Sequence, residues 1–447
     1  MEQTTGQREW VYPAWVKGVF QKRRRWTFAV LHIILFVTPW IHVRDHQIIH
    51  IDLSTRQLIL AGSIFTPADT IFLVFGLLFS TFLLFFVTAM WGRIWCGYAC
   101  PQTVFLETFV HAVERRVEGA RGKRMALDRA PWGPEKIARK TIKHAIFVAA
   151  AVLVAMSFVG WFAGTRALWM GQASTTAYGM VAFFGAVMYL DFAWFREQFC
   201  NYLCPYARFQ GVIAGENSLV ITYDEPRGEP RREKGVKRAK SEQGDCINCN
   251  KCVTVCPAGI DIRDGYQLEC IGCAKCVDAC APIMAKLGRE NLVRYSTVVE
   301  DAGGKTSMLR PRPMIYVAGM AITLLAAGGI LATRHPLDVT VNRAPGTLFA
   351  QDADGTTRNT FMLQITNRQY LEDTASLTVS VDGLDDAEIM MPPITLATGE
   401  VVKVPLVIQV PPSADLQRTQ TIGIRVRSDF DEVVVSTTFK TGAATGG

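Results

Sequence analysis

Twelve cysteines lie in the chain, all between Cys96 and Cys280. Eight form two runs of one spacing: Cys246-x2-Cys249-x2-Cys252-x3-Cys256-Pro257, then Cys270-x2-Cys273-x2-Cys276-x3-Cys280. Thiolates at these gaps suit cubane iron–sulfur chemistry. Three of them wrap three irons of one cluster, and the fourth is carried by the turn to the other cluster. The spacing predicts two [4Fe–4S] clusters, one on Cys246, Cys249, Cys252 and Cys280, the other on Cys270, Cys273, Cys276 and Cys256. Zinc sites also use Cys-x2-Cys, but as two pairs rather than two repeats of four. In the second run the proline comes one place late, in Cys280-Ala281-Pro282, which alters the local turn and not the ligand count. Such clusters carry single electrons and bind no substrate. The block is a wire, and its chemistry lies at its ends.

The other four cysteines repeat a second motif: Trp95-Cys96-Gly97-Tyr98-Ala99-Cys100-Pro101 and Phe199-Cys200-Asn201-Tyr202-Leu203-Cys204-Pro205. On a helix, residues i and i+4 share a face, so each pair presents two thiols together. The proline that follows favours a kink or break. A duplicated motif is poorly explained by cysteines packing as small hydrophobes. Two halves of an internal repeat are expected to bring the four thiols to one site. Its contents would be copper, since soft thiolates favour Cu(I), an additional iron–sulfur centre, or a redox-active dithiol. His42, His46 and His50 would share a face if a helix ran through them, and imidazole suits copper, haem or zinc. A wet interfacial histidine face beside Arg44 and Asp45 is the plainer reading. His32 fits a quinol contact or an interhelical hydrogen bond, and Met390-Met391 reads as packing.

These residues need elements to hold them. Five apolar segments are long enough to cross a hydrocarbon core, which takes about 20 helical residues: Trp26–Val43, Ala68–Trp91, His144–Gly164, Ala177–Phe195 and Met314–Ala332. The amino terminus carries no cleavable leader pattern, so the first segment is expected to persist as a membrane helix. Lysine and arginine concentrate at Lys22–Arg25 and from Arg115 to Lys143, whereas residues 44–67 hold only Arg44 and Arg56. The positive-inside rule then places the amino terminus, residues 92–143 and residues 196–312 in the cytoplasm. Everything after Arg334 lies outside. The formal charge of +7 thus belongs to membrane flanks and gives no reason to expect nucleic acid.

The predicted organisation is an α-helical membrane domain over 1–221, a charged linker over 222–245, a ferredoxin-like α+β insert over 246–298 and a second linker over 299–313. A fifth membrane helix follows over 314–332, then an all-β tail over 337–447. In the tail, short alternating runs at Leu337–Val341, Phe361–Thr366, Ser376–Val381, Val401–Val410, Thr421–Val426 and Glu432–Phe439 are separated by turn residues. That pattern predicts an Ig-like sandwich. The tail holds eight Lys/Arg against fourteen Asp/Glu and no cysteine.

The two Cys-x3-Cys-Pro motifs, the two ferredoxin runs, five spans and a β-rich tail together resemble the cytochrome c oxidase accessory protein family CcoG/FixG/RdxA. The resemblance covers essentially the whole chain. More distant relatives, NapH and the membrane part of NosR, share the cysteine motifs. The resemblance implies a membrane protein of the bacterial cytoplasmic membrane, with its ferredoxin part cytoplasmic and its tail periplasmic. It would reduce Cu(II) to Cu(I) for assembly of a cbb3-type oxidase, beside copper exporters or chaperones. Carried over motif by motif, Cys96, Cys100, Cys200 and Cys204 would be the copper or redox site, fed by the eight ferredoxin cysteines. A quinol-dehydrogenase module feeding a periplasmic partner and a non-catalytic assembly scaffold are the alternatives.

Overall fold

The structure, a computed structural model, describes residues 10–441 except 44–45, 54–56, 61–62, 66–68, 233–242, 308, 347, 369–373, 385, 398–399 and 413–416. Part of the expected linker, and the Arg44 and Arg56 of the expected outer loop, therefore lie outside the described residues. The chain folds as two compact units, Met1–Ile41 with Leu73–Leu325, and His42–Phe72 with Ala326–Gly447.

The first unit is built on long helices: α1 (Val19–Val37), α2 (Thr70–Trp91), α3 (Pro134–Ala163), α4 (Thr175–Leu190), α5 (Lys275–Lys286) and α6 (Pro311–Ala332). Among the described residues four helices are long and apolar enough to cross a membrane: α2, α3, α4 with its continuation to Phe195, and α6. The apolar window of α3 is 44% buried and that of α2 is not buried at all. α3 is therefore the central helix. Its Ala155 and Val152 pack against Gly185 of α4, whose missing side chain allows the close approach.

The first expected span falls on α1, which is not one of those four. Helix α1 begins at Val19, so Lys22–Arg25 lie within it, and it stops at Val37 before a 3-10 turn over Thr38–Trp40 that contains Pro39. The whole helix of 19 residues rises about 28 Å, with its four cations in the first two turns. The expected histidine face is corrected. His42 lies in β1 (His42–Val43), His46 in β2 (His46–Gln47) and His50 in β3 (Ile49–Asp52). Strand spacing does not place them as helical i, i+4, i+8 would. His32 bonds within its own helix, Nδ1 to the Phe28 carbonyl at 2.6 Å, and its ring packs among Phe36, Phe105 and Phe109.

Helix α1 starts without a capping side chain of its own, since its cap residue is Gly18. Asp278 of α5 supplies the cap from far along the chain, accepting from the Gln21 amide at 2.8 Å and the Phe20 amide at 3.3 Å. Asp278→Ala is expected to cost about 1 kcal/mol, read as a lower melting temperature with the clusters retained.

The cysteine-rich insert belongs to this same unit. β6 (Val220–Tyr223) pairs antiparallel with β7 (Val293–Ser296), over a core of Ile221, Ile262, Val277, Met284 and Leu292. The start of the expected linker is thus ordered: Thr222 and Tyr223 are in the strand, and Glu225–Gly228 form a helical turn. Pro282 sits inside α5, which runs on to Lys286, so the late proline leaves that helix unbroken.

The second unit is an Ig-like β-sandwich. Its strands are β8 (Leu337–Arg343), β9 (Ala350–Gln351), β10 (Thr357–Asn367), β11 (Thr374–Asp382), β12 (Glu388–Met390), β13 (Ile394–Ala397), β14 (Val401–Val410), β15 (Thr419–Arg427) and β16 (Glu432–Lys440). One sheet runs β12-β14-β10-β8 with β9 beside β10, and the other runs β13-β11-β15-β16. The inward residues of each strand, such as Phe361, Leu363, Ile365, Leu406, Ile408, Ile424 and Phe439, form the core. Met391 packs at the edge of that core and Met390 is half exposed. A smaller sheet of β3, β4 (Gln57–Leu60) and β5 (Ser63–Phe65) belongs to the same unit. Asp69 binds it to the sandwich through Arg334 at 2.8 Å and Arg368 at 3.5 Å.

Candidate functional site

The two ferredoxin runs fold alike because their sequences are alike. Cys246-Ile-Asn-Cys-Asn-Lys-Cys252 and Cys270-Ile-Gly-Cys-Ala-Lys-Cys276 both place residues of positive φ on either side of the middle cysteine: Asn248 at 54° and Asn250 at 56°, Gly272 at 66° and Ala274 at 57°. Left-handed residues curl the backbone so that successive thiols turn toward one centre. Asparagine and glycine tolerate this, whereas Ala274 does so at a cost.

Each run curls around a cavity. One, of about 400 Å³, is lined by Cys246, Cys249, Cys252 and Cys280 with Ile283, Met284 and Leu292. The other, of about 340 Å³, is lined by Cys252, Cys256, Cys270, Cys273 and Cys276 with Ile260 and Ile262. Cys280 reaches the first cavity and Cys256 the second, so each run sends its last cysteine to its neighbour's chamber. The donor set is all sulfur and the remaining walls are largely apolar. Both features fit iron–sulfur clusters.

The membrane-end motifs also share one backbone geometry. Ile94–Tyr98 is a short helix, whereas Cys100 is extended, its amide reaching back to the Trp95 carbonyl at 2.9 Å. Phe199–Leu203 is a π-type turn, whereas Cys204 is extended, its amide reaching back to the Phe199 carbonyl at 2.9 Å. Pro101 and Pro205 then each open a new helix at its first position, where a missing N–H costs nothing. The expected break occurs, and it falls at the second cysteine of each pair. The four thiols lie near enough for like-charge coupling: Cys200 feels Cys100, Cys96 and Cys204, and Cys96 feels Cys100 and Cys204. The Cys96 thiol donates to Gln210 Oε1 at 2.9 Å.

This thiol group touches the second ferredoxin run. Cys96, Ile271 and Cys273 form one buried cluster. Gly97 is what permits it: a Cβ there would stand 2.6 Å from the Ile271 carbonyl and 3.0 Å from Cys273 Cα. The contact is clamped by charge. Arg24 Nε donates to the Gly97 carbonyl at 2.8 Å, and Glu107, after the first motif, binds Lys275 of the second run at 2.5 Å. Burial disfavours the Glu107 carboxylate, but Lys275 and Arg24 hold it well below the ordinary range. Arg93 is buried beside Cys96 and donates to the Leu268 carbonyl. A further cavity of about 400 Å³ is lined by Cys200, Glu197, His111, Glu107 and Glu269, with Pro257, Ala258 and Ile271 as a wall shared with the second cluster chamber.

Burial raises many of these thiols from 9.0: Cys252 and Cys270 to about 12, Cys96 and Cys256 to about 11, and Cys200 to about 12. Folding of the metal-free chain therefore favours protonated thiols. A folded pKa above the unfolded one gives stability that is complete below about pH 9 and lost as pH rises toward 11–12. The metal-free chain is expected to melt at a lower temperature at pH 10 than at pH 8, roughly within that window. A melting temperature unchanged over this range would contradict it.

A second polar group escaped the reading of the sequence, which took the arginines and lysines after Arg115 as solvated flanks. Glu114, Arg124 and Arg196 are buried side by side: Arg124 lies 3.0 Å from Glu114, Arg196 contacts the other carboxylate oxygen, and Lys143 lies at 3.6 Å. Burial would raise the Glu114 carboxyl, but Arg196 and Lys143 lower it to about 2. Glu114 and Arg124 are ten residues apart and Arg196 is far along the chain, so no local spacing signals the cluster.

Comparison with known proteins agrees with this anatomy. Residues 195–298 match the family model of a 4Fe-4S dicluster domain, residues 73–118 a 4Fe-4S binding domain, and residues 328–441 the IG-like fold at the C-terminal of FixG. The nitrogen fixation protein FixG of Rhizobium meliloti is 36% identical over 415 residues, covering 83% of this chain and 79% of its own length. Protein RdxA of Cereibacter sphaeroides is 32% identical over 450 residues, covering 94% of this chain and 93% of its own. A FixG-related protein of Vibrio parahaemolyticus, known from its crystal structure, matches 25% of this chain at 20% identity with a TM-score of 0.23. With its iron–sulfur segments, its four apolar helices and its Ig-like tail, the chain belongs to the FixG/RdxA family of membrane iron–sulfur electron-transfer proteins.

Proposed function

We propose that the chain is a cupric reductase, passing electrons from two ferredoxin-type clusters to the thiols at Cys96, Cys100, Cys200 and Cys204 and from there to Cu(II). The observation that carries this reading is the buried contact of Cys96 with Ile271 and Cys273, which joins the thiol group to the second run. Cys246, Cys249, Cys252 and Cys280 hold one cluster, and Cys256, Cys270, Cys273 and Cys276 the other; when bound, they supply one-electron transfer. The chain's own residues do the rest. Gly97 lets the two backbones meet, and Arg24 with the Glu107–Lys275 pair fixes their separation.

Cys200 opens on a cavity that also holds Glu197 and Glu269, an acidic surrounding that suits an incoming cation. Each Cu(II) takes one electron to become Cu(I), the state that thiolates favour. By the charge pattern, the clusters face the cytoplasm and the Ig-like tail the periplasm, where Cu(I) would serve assembly of a cbb3-type oxidase through an exporter or chaperone.

Anaerobic, chemically reduced protein is expected to convert Cu(II) to Cu(I), read with a Cu(I)-specific chelator. Serine at all four of these cysteines is expected to lower the rate at least to the level of free reductant. An undiminished rate would refute the assignment.

A further inference from the structure

We infer that Cys96, Cys100, Cys200 and Cys204 together hold a third iron–sulfur cluster, with Arg93 and Gln210 as its hydrogen-bond donors. This rests on the reading that these thiols end the electron path, and it names what they carry.

Donor number comes first. The segment 73–118 matches a 4Fe-4S binding model yet contains only Cys96 and Cys100. A cubane takes four thiolates. The missing two are Cys200 and Cys204, which arrive on a second arm with the same backbone turn and are electrostatically coupled to the first pair.

Spacing comes second. Among the described residues, no three His, Cys, Asp or Glu side chains are placed to hold a single metal ion. That holds for the eight ferredoxin cysteines too, so it does not count against a polynuclear centre. The four membrane-end thiols act on one another as Cys276 does with Cys273, Cys270 and Cys256, as ligands gathered round one centre would.

Unused donors come third. Arg93 is 5% exposed and Gln210 is 1% exposed. Arg93 Nε and Gln210 Nε2 have no hydrogen-bond partner among the described residues. A buried N–H without an acceptor is costly, and an anionic tetrathiolate cluster supplies acceptors at its sulfurs. In the metal-free chain the Cys96 thiol donates to Gln210 Oε1. Once Cys96 is a thiolate that bond is lost, and the amide can turn over to present its free Nε2–H to sulfur. Arg93 also lowers the charge cost at Cys270 of the second ferredoxin run, so one buried cation serves both centres. Hydrogen bonds and positive charge at cluster sulfurs set its potential.

The test is iron and acid-labile sulfide analysis of the anaerobically purified full chain, with Mössbauer spectra. About twelve irons per chain are expected, falling to about eight in Cys200→Ser/Cys204→Ser. The wild-type count does not depend on how the variant folds. In Arg93→Gln, with iron retained, two of three redox transitions are expected to move to lower potential, those of the third cluster and of its neighbour on Cys270. About eight irons in the wild type, or one copper per chain in place of the extra iron, would overturn the inference. Should eight irons accompany loss of Cu(II) reduction in the variant, the exit site would stand and the third cluster fall. Should twelve fall to eight with Cu(II) reduction intact, the cluster would stand and the exit site fall.

Discussion

Replacing Gly97 with leucine is expected to cut Cu(II) reduction roughly 100-fold, the scale that about 1 Å of misplacement can cost, while the ferredoxin clusters still load and still accept electrons from dithionite. Even a bare Cβ would meet the Ile271 carbonyl at 2.6 Å. The carbonyl is backbone and a Cβ is fixed directly to the backbone, so neither can swing aside, and the ferredoxin loop must move off the Cys96 motif. The Glu107–Lys275 pair and the Asp278 cap on α1 would keep the insert attached nearby. The variant therefore separates electron entry from electron exit. Cluster reduction by dithionite, followed optically, checks the first, and the Cu(I) chelator checks the second. Equal loss of both would mean that the substitution had unfolded the insert; loss of neither would mean that the contact is not the route.

Glu114→Gln is expected to destabilise the protein by about 3–5 kcal/mol, the usual cost of stranding a buried charge. Arg124 and Arg196, with side chains 3% and 4% exposed, share this one carboxylate, and its own side chain is 5% exposed. Neutralising it leaves two buried guanidinium groups without their shared counter-charge. A large fall in melting temperature in detergent is the readout. The effect should also weaken in acid, because a carboxyl held near pKa 2 is charged across the whole working range and loses its contribution only as pH falls through that value. A shift no larger than a surface substitution gives would show that the charges are not stranded.

The cysteine spacing carried most of the site because cluster ligation is a local constraint: the gaps of two and three residues dictate the loop, and the equivalent left-handed positions at Asn248, Asn250, Gly272 and Ala274 follow from it. Strand alternation in the tail was equally local, and all six expected runs are strands. Short β12 and β13, either side of Pro392-Pro393, were passed over because three or four residues hold too little alternation to register. The first apolar segment, Trp26–Val43, ends sooner as a helix than hydropathy suggests, because Pro39 sits in a 3-10 turn after Val37 and His42–Val43 enter a strand. Least legible was everything set by docking. That Asp278 caps a helix more than two hundred residues earlier, or that Gly97 exists to touch Ile271, has no counterpart in any window of the sequence.

The crossed arrangement of Cys256 and Cys280 bears on how the protein is made. The first chamber is not complete until the chain has been synthesised through residue 280, since it awaits a cysteine from the second run, whereas the second closes at Cys276 on a cysteine supplied by the first. Iron and sulfide delivered to a nascent chain that ends before Cys270 find one three-cornered site and no finished one. Maturation is thus tied to completion of the whole insert, and scarcity of iron should yield chains that are either fully loaded or empty, with few carrying half a charge of metal.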